Sequence, residues 1–171
     1  MDDKISLKCI HDLLDCHFII PSYQRGYRWT DQQVNDLLDD IWEFSQKEGK
    51  TKEEFYCLQP VVVALGSDGY SVIDGQQRLT TIHIIFSVLK DIKRLIEEKN
   101  FTIEYETRKD SETFLQNINL SRKDENIDYY HICRAFETIE RRYSAMKPIQ
   151  ALWYGEPDPA KVWLKMKRQC G

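Results

Sequence analysis

Hydrophobic positions along this chain alternate between the spacing of strands and the spacing of helices. Runs of β-branched and aromatic residues predict strands at 17–20, 61–63, 70–73 and 101–105. Apolar residues three or four positions apart predict helices at 6–14, 30–44, 76–100 and from 127 to Pro148. The segment 107–112 leads into a further short helix, which is predicted to end at Asn117. Thr30 and Gln33 form a capping box where the second helix begins. The tight turn 66–69 predicts that the second and third strands form a hairpin, and both are expected to be buried.

The stretch 70–81 joins a predicted strand to a helix through a polar turn. Asp74 and Gly75 form the turn, and helical spacing begins at Gln76. The first turn of a helix has unpaired N–H groups and the positive end of the helix dipole, which suits a phosphate. Two interpretations stay open: a phosphate cradle, which the long amides of Gln76 and Gln77 favour, or a helix that Asp74 merely caps. The other side chains available to a cradle are Arg78, Thr80 and Thr81.

A second candidate segment is the loop 20–29, which carries basic and aromatic residues and no acidic one. These residues are Arg25, Arg28, Tyr23, Tyr27 and Trp29. Arginines and aromatic rings on one loop can hold a phosphate while a ring stacks on a base. The same residues also suit a packing loop, with the rings in the core and the arginines paired with nearby acids. Composition alone favours the packing interpretation.

Composition narrows the functional classes. The 171 residues carry a net charge of −4, so a site for a polyanion must come from a local cluster. The five cysteines include no C-x-x-C pair, and the four histidines lack the spacing of metal ligands. The scattered cysteines, the lack of a signal peptide and the lack of an apolar run of ~20 residues predict a soluble cytoplasmic protein without a membrane span.

Three segments together resemble the DUF262 family, the N-terminal domain of GmrSD-type modification-dependent restriction proteins and related phage-defence proteins. They are IPSYQRGYRW at 20–29, LLDDI at 37–41 and VIDGQQRLTT at 72–81. The segment 105–115 is similar to a further recurrent segment of that family. The resemblance implies an α+β, ParB/sulfiredoxin-like fold with a small mixed sheet and surrounding helices. It also implies a nucleotide-binding domain at 1–120 and, after a polar linker at 121–128, a helical extension to 171 that starts a longer C-terminal region.

The family's Asp-Gly-Gln-Gln-Arg turn faces a nucleotide-phosphate pocket and is linked to nucleoside-triphosphate hydrolysis coupled to DNA restriction. The resemblance therefore implies catalytic roles for Asp74, Gln76, Gln77 and Arg78. Asp74 would orient Mg²⁺ or the attacking water, and one of the two glutamines would position that water. The residues implied to bind the nucleotide are Tyr23, Gln24, Arg25, Arg28, Trp29, Gly75, Thr80, Thr81 and Arg108.

The resemblance also bears on partners. Full-length relatives carry an HNH-type nuclease domain, which is expected here in cis or in trans because this chain lacks the paired histidines and asparagine of such a domain. DNA is expected to be contacted through the full-length protein, and an oligomer is compatible with this arrangement. A different class of function is a non-catalytic module that senses DNA or a phage component through the same phosphate-binding turn. A third interpretation is a purely structural half of an assembly.

Overall fold

The fold is taken from a computed structural model, which describes residues 10–48, 58–88 and 100–154. Four strands form its sheet: β1 (His17–Ile20), β2 (Val62–Leu65), β3 (Tyr70–Asp74) and β4 (Thr102–Tyr105). The helices are α1 (Asp31–Gln46), α2 (Gln76–Val88), α3 (Lys109–Gln116) and α4 (Ile127–Tyr154), with 3-10 turns at Ile10–Leu13 and Leu120–Arg122. This mixture confirms the predicted α+β class.

The sheet is mixed and has the strand order β2-β3-β1-β4. β1 pairs in parallel with both β3 and β4, with Phe18 opposite Tyr70 on one side and Ile103 on the other. β2 and β3 form the predicted antiparallel hairpin. Because β1 and β3 are parallel, their carboxyl ends lie at the same edge of the sheet. The loop that follows Ile20 and the turn that follows Asp74 therefore leave the sheet side by side.

The core lies between the sheet and the helices. Its fully buried side chains include Ile20, Val34, Val72, Leu79, Ile84, Phe114 and Ile132, which come from both strands and helices. The long helix α4 packs against α1, α2 and α3. The capping box at the start of α1 is confirmed, since the side-chain oxygen of Gln33 accepts the Thr30 N–H at 2.8 Å.

The second strand differs from the prediction of a buried run. Val62 is 44% exposed and Leu65 is 77% exposed. β2 lies at the edge of the sheet and, within the described residues, pairs with β3 alone. A run of β-branched residues fits an edge strand as well as a central one, so the sequence could not tell the two apart.

The last helix begins at Ile127 as predicted but does not end at Pro148. Its backbone stays helical to Tyr154. A proline removes one helical hydrogen bond, and the turns on either side here remain helical. The linker is also shorter than predicted, because Asp128 belongs to the first turn of α4 and is buried. The domain boundary at residue 120 stays a prediction, although α4 packs against α1 and α2 across it.

Two predicted helices lie partly outside the described residues. The first is represented only by the 3-10 turn Ile10–Leu13, and the third is described as α2 up to Val88, so that 6–9 and 89–99 lie outside. Among the described residues, no helix combines the length and the apolar character that crossing a membrane requires.

Two arginines of α4 form ion pairs with acids of α1: Arg134 with Asp31 and Arg142 with Asp39. We expect Asp31→Asn to lower the free energy of unfolding by less than about 1 kcal/mol, because the pair is only partly buried. The loss should shrink further in 1 M salt, where the Debye length is about 3 Å. Urea unfolding of the wild type and the variant at low and high salt measures this decrease in the free energy of unfolding. A large decrease that does not depend on salt would contradict a surface ion pair.

Candidate functional site

The turn between β3 and α2 has a geometry that only glycine suits. Gly75 has a φ of +89°, and a Cβ at this position would lie 3.1 Å from the Cα of Val61 and 3.2 Å from the carbonyl oxygen of Pro60. Asp74 accepts the Gly75 N–H through its Oδ1 at 2.8 Å. The first α2 hydrogen bond runs from the Leu79 N–H to the Gly75 carbonyl at 3.0 Å. The N–H groups that precede Leu79 in α2 therefore lie in a first turn without intrahelical acceptors.

A cavity of about 310 Å³ lies beside this turn. One wall is the segment 74–78, which contains the strand end, the glycine and the first turn of α2. The other wall is the loop after β1, which contributes Gln24, Arg25 and Trp29. The two segments singled out in the sequence thus face each other across one cavity, as expected from the parallel pairing of β1 and β3.

Gln76 and Gln77 join the two walls. The side-chain amide N–H of Gln76 donates to the carbonyl of Arg25. Gln77 donates to the carbonyl of Gly26 at 3.0 Å and accepts the backbone N–H of Arg28 at 2.7 Å. Both amides therefore satisfy backbone groups of a loop that has no regular secondary structure of its own.

Gln24 strengthens the same junction from the opposite direction. Its amide donates to the carbonyls of Val72, at 2.6 Å, and Ile73, at 3.0 Å, in β3. The loop and the turn exchange hydrogen bonds both ways, so neither can move without breaking them. Gln76 is itself buried, and its Oε1 accepts no hydrogen bond within the described residues.

The two arginines on the walls differ in what their guanidinium groups contact. Arg25 is exposed, and its side chain has no hydrogen-bond or ion-pair partner in the described part of the chain. Arg78 donates to the carbonyls of Gln59 and Pro60, at 3.1 and 3.2 Å, and to the Gln59 side-chain oxygen at 2.6 Å. Neither arginine pairs with a carboxylate of the described residues. Within the described part of the chain, neither positive charge on the cavity wall therefore has an ion-pair partner.

The family model of the GmrSD restriction endonuclease N-terminal domain matches residues 10–152. The chain belongs to this family. The match covers both walls of the cavity, the helices α1, α2 and α3 and all but the last two residues of α4, and it confirms the resemblance seen in the motifs. A GmrSD N-terminal domain is a component of a restriction or phage-defence system, and the family implies a partner nuclease domain. A comparison with curated proteins gave no match.

Two of the arginines predicted to bind nucleotide lie outside the cavity of this GmrSD-family domain. Arg28 and Arg108 both contact the carboxylate of Asp128 in α4. Arg108 also donates to the carbonyl of Gln24 at 3.0 Å. The structure therefore places both guanidinium groups behind the loop, where they hold its backbone, and not on the cavity wall.

The two predicted threonines lie in the core. The hydroxyl of Thr81 is 2.8 Å from that of Tyr27, and the hydroxyl of Thr80 is 3.2 Å from that of Tyr105. Both threonines are fully buried, which keeps their hydroxyls away from a ligand in the cavity. Burial raises the pKa of Tyr105 to about 12 and also raises the pKa of Tyr27, so both phenols stay neutral hydrogen-bonding groups. The α2 hydroxyls thus hold the loop and β4 against the helix.

Of the three aromatic residues in the loop, one lines the cavity and two do not. Trp29 lies on the cavity wall, whereas Tyr23 is 73% exposed and does not line it. Tyr27 is buried in the core. Trp29 is thus the ring positioned to contact a ligand.

Asp74 is the one acidic residue among the described residues that line the cavity. The described residues contain no cluster of three or more side chains able to ligate a metal. A Mg²⁺ ion in a nucleotide site commonly takes one or two carboxylates and completes its shell with phosphate oxygens and water. One carboxylate with a free oxygen fits that requirement: Asp74 Oδ1 accepts the Gly75 N–H, and Oδ2 has no partner among the described residues.

Sequence reasoning missed two residues of this region, Asp128 and Gly26. Asp128 looks like an ordinary acidic residue at a helix start, and nothing in the sequence links it to a loop 100 positions earlier. Gly26 lies between the two arginines of the loop, and a Cβ there would be 2.3 Å from the Oδ1 of Asp128. A glycine between a long basic and a large aromatic side chain, Arg25 and Tyr27, is a signal of close approach that could have been noticed.

Proposed function

We propose that this domain binds a nucleoside triphosphate in the cavity between loop 24–29 and turn 74–78 and hydrolyses its terminal phosphoanhydride bond. The observation that carries the proposal is the position of Arg25 and Arg78 beside the first turn of α2, where neither guanidinium group has a carboxylate partner among the described residues. A guanidinium group that is left without a carboxylate next to free helix N–H groups favours an anion. The volume of about 310 Å³ lies at the lower end of the range for small-molecule sites, roughly 300–1,000 Å³.

The phosphates would bind the first turn of α2, with Arg25 as the main counter-charge. No described residue accepts a hydrogen bond from the Arg25 side chain, and a guanidinium group can bind phosphate oxygens through two hydrogen bonds. Arg78 keeps its charge while its donors hold Gln59 and Pro60, so it would act mainly through its field. The base would stack on the ring of Trp29, because stacking accepts every base and the ring lies on the same wall.

Hydrolysis would depend on Asp74. Its Oδ1 is oriented by the Gly75 N–H, and its Oδ2 would accept a proton from the attacking water. The water oxygen would form a bond to the terminal phosphorus while the bond to the bridging oxygen breaks, and the arginines would neutralise the charge that develops on the leaving nucleoside diphosphate. A Mg²⁺ ion bound with the nucleotide would supply further charge neutralisation. Gln76 and Gln77 would contribute by holding the loop that carries Arg25, since both amides donate to its carbonyls.

Binding is tested with the four ribonucleoside triphosphates and Mg²⁺, by calorimetry and by phosphate release, on the wild type and on Arg25→Ala. We expect the variant to bind about thirtyfold more weakly, because a charge-assisted contact contributes about 2 kcal/mol. The matched control is Lys109→Ala, which removes the same charge from a side chain that is 77% exposed. The control should bind as the wild type does.

Three other outcomes have distinct meanings. Equal affinity of Arg25→Ala and the wild type would remove Arg25 from the site. Heat stabilisation of the wild type by nucleotide without phosphate release would reduce the function to nucleotide binding. If nucleotide caused neither heat stabilisation nor phosphate release, the proposal would be contradicted. Steeply salt-dependent DNA binding would then favour the DNA-sensing alternative.

A further inference from the structure

The backbone of the loop 24–27 is held from two directions. Its inner carbonyls, those of Arg25 and Gly26, accept the α2 glutamine amides described above. Its outer carbonyls accept arginine donors: Arg108 donates to Gln24 at 3.0 Å, and Arg28 donates to the Tyr27 carbonyl. All four consecutive carbonyls therefore accept a side-chain N–H, which is how a loop without regular structure can satisfy its backbone.

The two arginines on the outer side depend on a single carboxylate. Arg28 donates to the Oδ1 of Asp128, and the Nε of Arg108 lies 3.3 Å from its Oδ2. The hydroxyl of Ser111 in α3 also donates to Oδ2 at 3.3 Å. Asp128 is only 7% exposed, so the interaction is screened little by water.

The loop is shaped to admit this carboxylate. A Cβ on Gly26 would lie 2.3 to 2.7 Å from the three carboxyl atoms of Asp128, so only glycine leaves room for it. Asp128 thus lies directly against the back of the loop whose front carries Arg25. No other acidic side chain of the described residues contacts Arg28 or Arg108.

We infer that Asp128 is a positioning residue for the nucleotide site, acting on the cavity through Arg28, Arg108 and the loop backbone. The inference rests on the proposed function. With Asp128 in place, the loop is held before any ligand arrives, and Arg25 and Trp29 need no ordering on binding. Without it, two partly buried guanidinium groups lose the one carboxylate that they contact among the described residues, and their hold on the loop carbonyls is weakened.

The test is hydrogen exchange by mass spectrometry on the full chain without nucleotide, followed over peptides that cover 23–29. The exchange rates of two backbone amides there report on the opening of the loop. The Gln24 N–H donates to the carbonyl of Pro21, and the Arg28 N–H donates to the side-chain oxygen of Gln77. In Asp128→Asn, which keeps the shape and removes the charge, exchange should accelerate on the order of tenfold. The matched control is Asp31→Asn, which breaks another ion pair between α4 and the rest of the domain but does not touch the loop.

The same variants are then titrated with the triphosphate that binds the wild type most tightly. We expect Asp128→Asn to bind on the order of tenfold more weakly and Asp31→Asn to bind normally. If circular dichroism shows Asp128→Asn to be unfolded, Arg108→Gln replaces it, since this variant leaves the pair of Arg28 with Asp128 in place.

The two readouts separate the inference from the function on which it rests. Unchanged loop exchange in both the Asp128 and the Arg108 variants would overturn the positioning role, whatever the wild type binds. Faster loop exchange with unchanged nucleotide affinity would overturn it too, because the loop would then be held for stability alone. If the wild type bound no triphosphate, the proposed function would fail, and the positioning role for a nucleotide site would fail with it. Hydrogen exchange would still show whether Asp128 holds the loop.

Discussion

Asp74→Asn is expected to lower the rate of phosphate release about a thousandfold, as is typical when a general base is removed. The asparagine side chain keeps an oxygen to accept the Gly75 N–H, which Asp74 accepts at 2.8 Å, so the turn should keep its shape. What is lost is the charged Oδ2 that would take the proton of the attacking water. Affinity for the triphosphate measured without Mg²⁺ should not fall, because a negative charge beside the phosphates has been removed. Steady-state phosphate release and calorimetry measure the two quantities separately.

The matched control for this prediction is Asp68→Asn in the hairpin turn. Asp68 is an exposed aspartate that contacts Ser67 and lies outside the cavity. Its replacement should change neither turnover nor binding. If Asp74→Asn released phosphate at the wild-type rate, the chemistry would not depend on this carboxylate, and the proposed mechanism would be wrong.

Gly26→Ala is expected to lower the free energy of unfolding by about 3 kcal/mol, since overpacking and the disruption of a buried ion pair are both costly. The added methyl group would lie 2.3 Å from the Oδ1 of Asp128. This steric clash is relieved only if the loop or the carboxylate moves, and either movement separates Asp128 from Arg28. Urea unfolding of the wild type and the variant measures the loss.

Gly66→Ala is the control for this substitution. A Cβ at Gly66 would meet only the Gly69 carbonyl oxygen, at 3.5 Å, which is an ordinary van der Waals distance. Its effect on stability should be within about 0.5 kcal/mol. Equal small losses in both variants would mean that Asp128 is not held tightly against the loop.

Much of the fold follows from local patterns in the sequence. The strand periodicity at 17–20 and 101–105, the turn at 66–69 and the capping box of Thr30 and Gln33 all correspond to observed elements. These features depend on neighbouring residues only. The exposure of β2 and the continuation of α4 past Pro148 depend on which elements surround a segment, and hydrophobic spacing does not carry that information.

The sequence singles out the two segments that line the cavity, but it does not show what each of their side chains contacts. Asp74, Gly75, Arg25 and Trp29 lie on the cavity, as the two motifs suggested. The sequence suggests that the glutamines reach for a ligand, because a turn has no need of them, yet Gln77 uses both ends of its amide on the loop. A long polar side chain can serve a ligand or a distant backbone equally well, and only the tertiary pairing decides between them.

The central claim is that a triphosphate occupies the cavity beside the first turn of α2. A photoreactive nucleoside triphosphate, cross-linked to the full chain and mapped by mass spectrometry, tests this location most directly. We predict labelling within 24–29 or 74–78 that unlabelled triphosphate suppresses and that Arg25→Ala weakens. Competable labelling confined to other segments, or no competable labelling at all, would contradict the claim.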